Sequence, residues 1–281
     1  MPVLMLSEAG RRGFAVDGDN LRAQLDHTAA HLKRGQASYQ SGQGQGGRVD
    51  TSAWALWALD EGGRAADETT AAVAGYLLAT DVDKGHWLSA GQRRPTQGSP
   101  FATTYVAVRA LAAFGTGEQQ PRVAERVAAV RKWLESADAS DTEDRVFRLR
   151  SLAYLAESGL ADVDRELIES AAYDVLRLQR DDGGWGQLPE LSTDAYATGT
   201  ALVALRDAEK LTVAESAYRA GVAFLLRTQL EDGAWRVATR SKPIQKYFES
   251  GFPHEKDQFV SMAATNWAAL ALLYTVENAS K

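Results

Sequence analysis

Apolar residues recur along this chain at helical spacing, in two alternating kinds of segment. One kind is amphipathic. Val123, Val127, Val130 and Leu134 make one stripe and Leu167, Ala171, Val175 and Leu178 another, with polar residues between them. Segments of this kind predict helices over 20–38, 66–79, 121–137, 163–179 and 213–229. The other kind is rich in Ala and aromatics and apolar on more than one side. It predicts helices buried on most faces over 51–61, 101–114, 143–158, 194–208 and 258–276. Taken in pairs, the segments repeat every 40 to 60 residues or so, the signature of a repeat architecture.

Residues 3–13 look like the end of one more helix of the buried kind, as comparison with 152–159 shows. Six buried helices and five amphipathic ones predict an all-α fold: an α/α toroid (barrel) of about six helical hairpins, with inner and outer helix rings and the first hairpin truncated. The expectation is one toroid domain over 1–281, excised from a longer protein that would carry further domains.

Between two of the predicted helices stands Gln179 to Gly186, Gln-Arg-Asp-Asp-Gly-Gly-Trp-Gly. It returns as Gln229 to Trp235, one Gly short, and in degraded form from Asp83 to Trp87. Gly permits a tight reversal, Asp can cap nearby amides, and Trp supplies a broad apolar face to pack across the turn. A Gln amide against that indole would tie one helix end to the next repeat.

Gln-x-x-Asp-Gly-Gly-Trp resembles the QW repeat of squalene-hopene cyclases, oxidosqualene cyclases and related prenyltransferase-like proteins. The resemblance implies the terpenoid-cyclase ring over nearly the whole chain. It also implies a central cavity for an isoprenoid or other amphiphile, and acid-initiated cyclisation as the activity. The alternative is a non-catalytic toroid that binds a ligand or a partner.

Composition narrows the field. Apolar content of 45% and charged content of 24% are ordinary for a folded chain able to bury a large core. A net charge of −6 with no compact basic face argues against a nucleic-acid partner. The absence of cysteine excludes disulfides, a thiolate nucleophile and the Asp, Cys and His zinc set of protein prenyltransferases. Only His27 and His31 share a helical face, with no acids beside them, so neither a metal nor another cofactor is expected. The Gly-rich stretch 40–50 lacks the Gly-Lys-Ser/Thr ending of a phosphate loop and reads as a flexible crossing. The longest apolar run, Trp267 to Tyr274, is too short to span a bilayer. Met1 to Leu6 lacks the pattern of a signal peptide, which makes the cytoplasm the default expectation, and the sequon Asn278-Ala279-Ser280 is then incidental.

Candidate chemistry gathers where inner helices begin: Asp50, Asp141 with Glu143 and Asp144, Asp194, and Asp257. Acids there serve as helix caps, and Ser140-Asp141-Thr142-Glu143 spells a capping box, Ser-x-x-Glu. The cyclase resemblance gives the same residues a sharper role. Asp141-Thr142-Glu143-Asp144 is similar to the Asp-x-Asp-Asp motif of class II terpene cyclases, with Glu in the third place. It implies Glu143 as general acid, kept protonated by Asp141 and Asp144. Asp194 is a second acid candidate, and with Glu143 it could form the carboxylate pair of a carbohydrate-active toroid.

Trp54, Phe101, Tyr105, Tyr196, Phe259 and Trp267 are the candidate aromatic lining, with Trp57 and Phe147 also on inner helices. Arg148 is a candidate substrate contact. Arg109, Arg145, Arg148 and Arg150 must either face the cavity or pair with acids such as Glu143 and Asp144. Such a mixed cavity suits a polar or anionic amphiphile better than a bare triterpene. The loops 80–100 and 231–257 carry Trp87, Arg93, Arg94, Arg240, Lys242, Lys246, Tyr247, Phe248, His254 and Lys256, and predict a basic, aromatic rim.

Overall fold

A computed structural model describes residues 1–242 and 246–276. The helices among them are α1 (Pro2–Arg11), α2 (Gly18–Arg34), α3 (Gln36–Gln40), α4 (Arg48–Glu61), α5 (Glu68–Ala79), α6 (Pro100–Phe114), α7 (Gln120–Ser136), α8 (Thr142–Glu157), α9 (Arg165–Leu176), α10 (Ala195–Asp207), α11 (Ser216–Thr228) and α12 (Gln258–Leu273). Helices α1, α4, α6, α8, α10 and α12 each pack on the next, and α12 returns to α1, so the inner ring closes. Helices α2, α5, α7, α9 and α11 pack outside it. The chain is an all-α toroid, as its periodicity predicts.

The two kinds of segment differ because their surroundings differ. Helix α10 is buried without a break from Ala195 through Leu205, since neighbours cover it on every side. Helix α9 buries only Ala171, Ala172 and Val175, one stripe facing inward. The predicted helix over 20–38 is in fact two. It breaks at Gly35, where the Gln45 side chain lies 2.2 Å from the position a Cβ would take. Gln45 accepts from the Tyr39 hydroxyl at 2.8 Å and donates to the carbonyl of His31 at 3.2 Å, which fixes the break. The Gly-rich crossing then packs Gly44, at φ +69°, directly under the ring of Tyr76.

Tryptophan turns join the outer helices to the inner ring. Trp185 donates its indole N–H to the carbonyl of Val175 at 2.8 Å and its backbone N–H to Thr198 Oγ1 at 2.9 Å. Trp235 does the same with Leu225 and Thr265, and Trp87 with Leu77 and Thr104. All three side chains are buried. Trp87 therefore belongs to a seam between helices and not to the rim expected of it. Gln179 ties the turn down by hydrogen bonds from its amide to Gly183 O and to Ala217 O on the next outer helix, both at 2.8 Å. Trp185–Gly186 and Thr193–Asp194 form a two-residue antiparallel pair, Trp185 opposite Asp194.

No described helix is long and apolar enough to cross a membrane. The sequon at Asn278 lies outside the described residues.

Candidate functional site

Helix α8 starts at Asp141, which caps it by accepting from the backbone N–H of Asp144 at 3.0 Å. The capping box read from Ser140 does not form: Asp141 is the cap, and Glu143 bonds Tyr196 in place of the Ser140 amide. Ser140 instead donates from both its backbone and its hydroxyl to Asp144 Oδ2, while Ser99 donates to Asp144 Oδ1 at 2.7 Å. Both aspartates are consumed by structure. Asp141 Oδ2 also receives Arg94 at 2.6 Å and Arg240 at 3.0 Å, one from each long loop.

Glu143 stands apart. Its side chain is buried, Oε1 accepts from the Tyr196 hydroxyl at 2.9 Å, and Oε2 has no partner among the described residues. Burial, against the opposing hydrogen bond from Tyr196 and helped by the nearby charges of Asp141 and Asp144, holds the Glu143 carboxyl well above the ordinary carboxylate range. The folded surroundings therefore favour the protonated form of this acid. Burial likewise pushes the Tyr196 phenol up.

Asp194 caps α10 by accepting from Ala197 N–H at 2.9 Å and takes the Gln187 amide at 3.0 Å. Desolvation pushes its carboxyl up to about 6, against those hydrogen bonds. Gln187 in turn accepts from Arg240 Nε at 2.8 Å, so a polar chain runs from Asp194 through Gln187 and Arg240 to Asp141 and Arg94. Asp50 and Asp257 do not cap their own helices. Asp50 takes Ser89, Ala90 and Gly91 on one oxygen and Thr103 on the other; Asp257 takes Arg236 and the Thr239 amide. Each anchors a loop, which an acid at a helix start does not announce in sequence.

A cavity of about 700 Å³ opens at the end of the ring where the inner helices begin. Trp54, Tyr196, Met262 and Trp267 line its wall, Phe259 lies half exposed at the lip, and Arg93, Lys242, Lys246 and Lys256 stand at the rim with Tyr247 and Phe248. The predicted lining residues Trp54, Tyr196, Phe259 and Trp267 thus come together with the predicted basic, aromatic rim. Glu143 and Asp194 line neither this cavity nor the one at the opposite end. Glu143 meets the cavity wall through Tyr196.

Three predicted contacts lie elsewhere. Phe101 faces outward and packs on Trp133 of α7 at 4.5 Å between ring centres. Arg148 donates to the carbonyls of Leu134 and Glu135, closing the end of an outer helix. Tyr105 lines the opposite cavity, of about 360 Å³, with Trp57, Arg109, Arg150 and Asp207. The expected pairing of α8 arginines with Glu143 and Asp144 does not form. Arg145 donates to the Asp141 carbonyl, Arg150 pairs with Asp207 at 2.9 Å, and Arg109 pairs with Glu61 at 3.3 Å. Side chains on a helix tilt toward its N-terminus, but α8 is hemmed by neighbours there, and its arginines reach other elements. Sequence reading missed Asp207, Gln187 and Met262, none of which sits in a recognisable pattern.

The same ring occurs in solved structures. The type II terpene cyclase MstE from Scytonema superposes with a TM-score of 0.60 at 14% identity, over 96% of this chain and 85% of that one. The ent-copalyl diphosphate synthase from Streptomyces platensis gives 0.57 at 19%, over 96% of this chain and 49% of that one, so the ring spans about half of that enzyme. A possible member of the GH105 family from Salmonella enterica gives 0.56 at 10%, over 98% and 82%. No protein-family model matches the chain. The likeness establishes a terpenoid cyclase-like α/α toroid.

Proposed function

We propose that the ring binds an amphiphile of the isoprenoid class, with its apolar body in the mouth cavity and an anionic head at the rim. One observation carries this reading: the cavity walled by Trp54, Tyr196, Met262 and Trp267 opens among Arg93, Lys242, Lys246 and Lys256. Apolar walls with a few placed charges are the usual form of a small-molecule site. Cations at a rim steer and hold an anion without the cost of burying them. The terpene cyclase and copalyl diphosphate synthase with the same ring lend support to an isoprenoid body and a diphosphate head.

Titration with farnesyl diphosphate, geranylgeranyl diphosphate and farnesol, followed by calorimetry and tryptophan fluorescence, tests the reading. One diphosphate per ring is expected, bound about tenfold or more tightly than the alcohol and more weakly as salt rises. Equal binding of charged and uncharged ligands, or none of either, would sink it.

A second reading adds acid-initiated cyclisation, and the buried Glu143 against Tyr196, its carboxyl held above the ordinary range, favours it. In that reading the Tyr196 hydroxyl turns from Glu143 to the cavity, gives its proton to an alkene carbon or epoxide oxygen of the ligand, and takes one from the protonated Glu143, which is left as a carboxylate. The resulting cation closes a ring and ends by losing a proton or adding water. Product that persists in both Glu143→Gln and Tyr196→Phe would rule this out; bound ligand without product leaves a non-catalytic binder.

A further inference from the structure

At the axis of the ring, between the two cavities, the Arg150 guanidinium lies inside a cage of aromatic rings. Its carbon is 5.5 Å from the centre of Trp57, 4.7 Å from Tyr105, 5.5 Å from Phe147 and 5.1 Å from Trp267. These rings come from four inner helices, α4, α6, α8 and α12. Arg150 is 5% exposed, and its Nε and Nη1 have no hydrogen-bond partner among the described residues, because they face π-electron density. Its remaining amino group pairs with Asp207, which the Tyr274 hydroxyl also holds at 2.7 Å. Trp267 lines the mouth cavity; Trp57, Tyr105 and Arg150 itself line the cavity at the far end.

We infer that Trp267, backed by the Arg150 guanidinium, is the floor of the mouth cavity, and that Arg150 is the positioning residue that limits how long an apolar tail the ring accepts. The inference rests on the mouth cavity being the ligand site. The four-ring cage suits a cation, and the chain fills it with its own, with Arg109 beside it over Trp57, Tyr105 and Tyr154. A hydrocarbon tail reaching Trp267 meets a ring backed by a fixed charge, and the buried Arg150 cannot move aside without giving up Asp207, its only hydrogen-bond partner among the described residues. A positive charge developing on a ligand is repelled from the ring centre for the same reason, so any cation chemistry stays within the mouth. The substrate class is accordingly a short-tailed anionic isoprenoid and not a long hydrocarbon that would thread the ring.

Two measurements test this. Affinities of geranyl, farnesyl and geranylgeranyl diphosphate are compared in the wild type and in the double variant Arg150→Met, Asp207→Asn, which removes both partners of the pair. The wild type is expected to lose about tenfold once the tail outgrows the cavity, and the double variant to reverse that order. The same order in both, with matching circular dichroism, overturns the inference. The second measurement needs no ligand. Methylguanidinium at low concentration is expected to raise the melting temperature of Arg150→Ala and leave the wild type unchanged, since only the variant has an empty cage. If Arg150→Ala does not fold alone, the readout is recovery of the folded ring on adding methylguanidinium. No rescue overturns the cage assignment. Wild type that binds none of the diphosphates defeats the proposed function, while rescue by methylguanidinium would still uphold Arg150 as the cation that closes the ring axis.

Discussion

Tyr196 donates its hydroxyl to Glu143 Oε1 at 2.9 Å, linking a residue of the cavity wall to an acid that is otherwise sealed in the ring. The folded pKa of Glu143 lies above its unfolded value, and this fixes the sign of a pH effect. The stability it contributes is complete below the ordinary glutamate range and is lost as pH rises toward the folded pKa, because the native ring retains a proton that the unfolded chain releases. Glu143→Gln carries the neutral shape without that loss. Its melting temperature is expected to match the wild type near pH 4 and to exceed it increasingly as pH rises above the ordinary glutamate range. A difference that does not vary with pH would contradict a neutral Glu143.

Tyr196→Phe leaves both oxygens of Glu143 without a partner while keeping the ring that walls the cavity. A loss of about 1–3 kcal/mol is expected from denaturant unfolding. Combined with Glu143→Leu, the loss should shrink, since replacing both partners removes the unsatisfied group. Additive losses would show that the pair is not coupled.

Asp141 latches the lid of the site. Arg94 and Arg240 reach it from the two loops that carry the rim, and Ser241 donates to the Arg94 carbonyl at 2.8 Å, so the loops also hold each other. Asp141→Ala removes the cap of α8 and takes one partner from each guanidinium, leaving Arg240 on Gln187 and Arg94 beside Asp144, with an expected cost of about 1–3 kcal/mol. Hydrogen exchange is expected to rise at 93–97 and 239–242 before it rises in α10. Uniform loss of protection across the ring would mean that Asp141 serves the fold alone.

The tryptophan turns show what the sequence makes legible and what it hides. Helix periodicity survives because a closed ring leaves each outer helix one buried stripe and each inner helix several. The turn near Trp87 has lost its Gln and its Gly pair, yet its indole N–H meets a carbonyl ten residues back just as those of Trp185 and Trp235 do. The motif decays; the hydrogen bond does not. Trp→Phe at each of the three is expected to cost a similar amount, about 1–3 kcal/mol, from the lost indole hydrogen bond and the space that the smaller ring leaves. A much smaller loss at Trp87 would separate it from the other two. Site residues were legible only where chain position alone places them. Tyr196 could be assigned to the cavity from its place at the start of α10, and Trp267 from its place among the aromatics of an inner helix. Phe101 and Arg148 could not, because one step of helical rotation sends a side chain to the outer ring, and apolar residues occupy both faces of α6. Asp207 was invisible because its partner is 57 residues away.

Gly183 and Gly233 occupy the same place in two copies of one turn, and they separate backbone strain from crowding. Both hold positive φ, +91° and +82°, which penalises any side chain. At Gly183 an added Cβ would also stand 2.5 Å from the carbonyl oxygen of Ala220 on α11, whereas at Gly233 it meets nothing within 4 Å. Gly233→Ala is therefore expected to cost about 1 kcal/mol, the conformational term alone. Gly183→Ala must in addition push α11 away from the turn and break the amide tie from Gln179 to Ala217, so its cost should exceed that by about 2 kcal/mol or more. Urea unfolding of the two variants decides it. Equal losses would mean that α11 gives way freely, and that the turn at Trp185 is not what holds the outer helix against the ring.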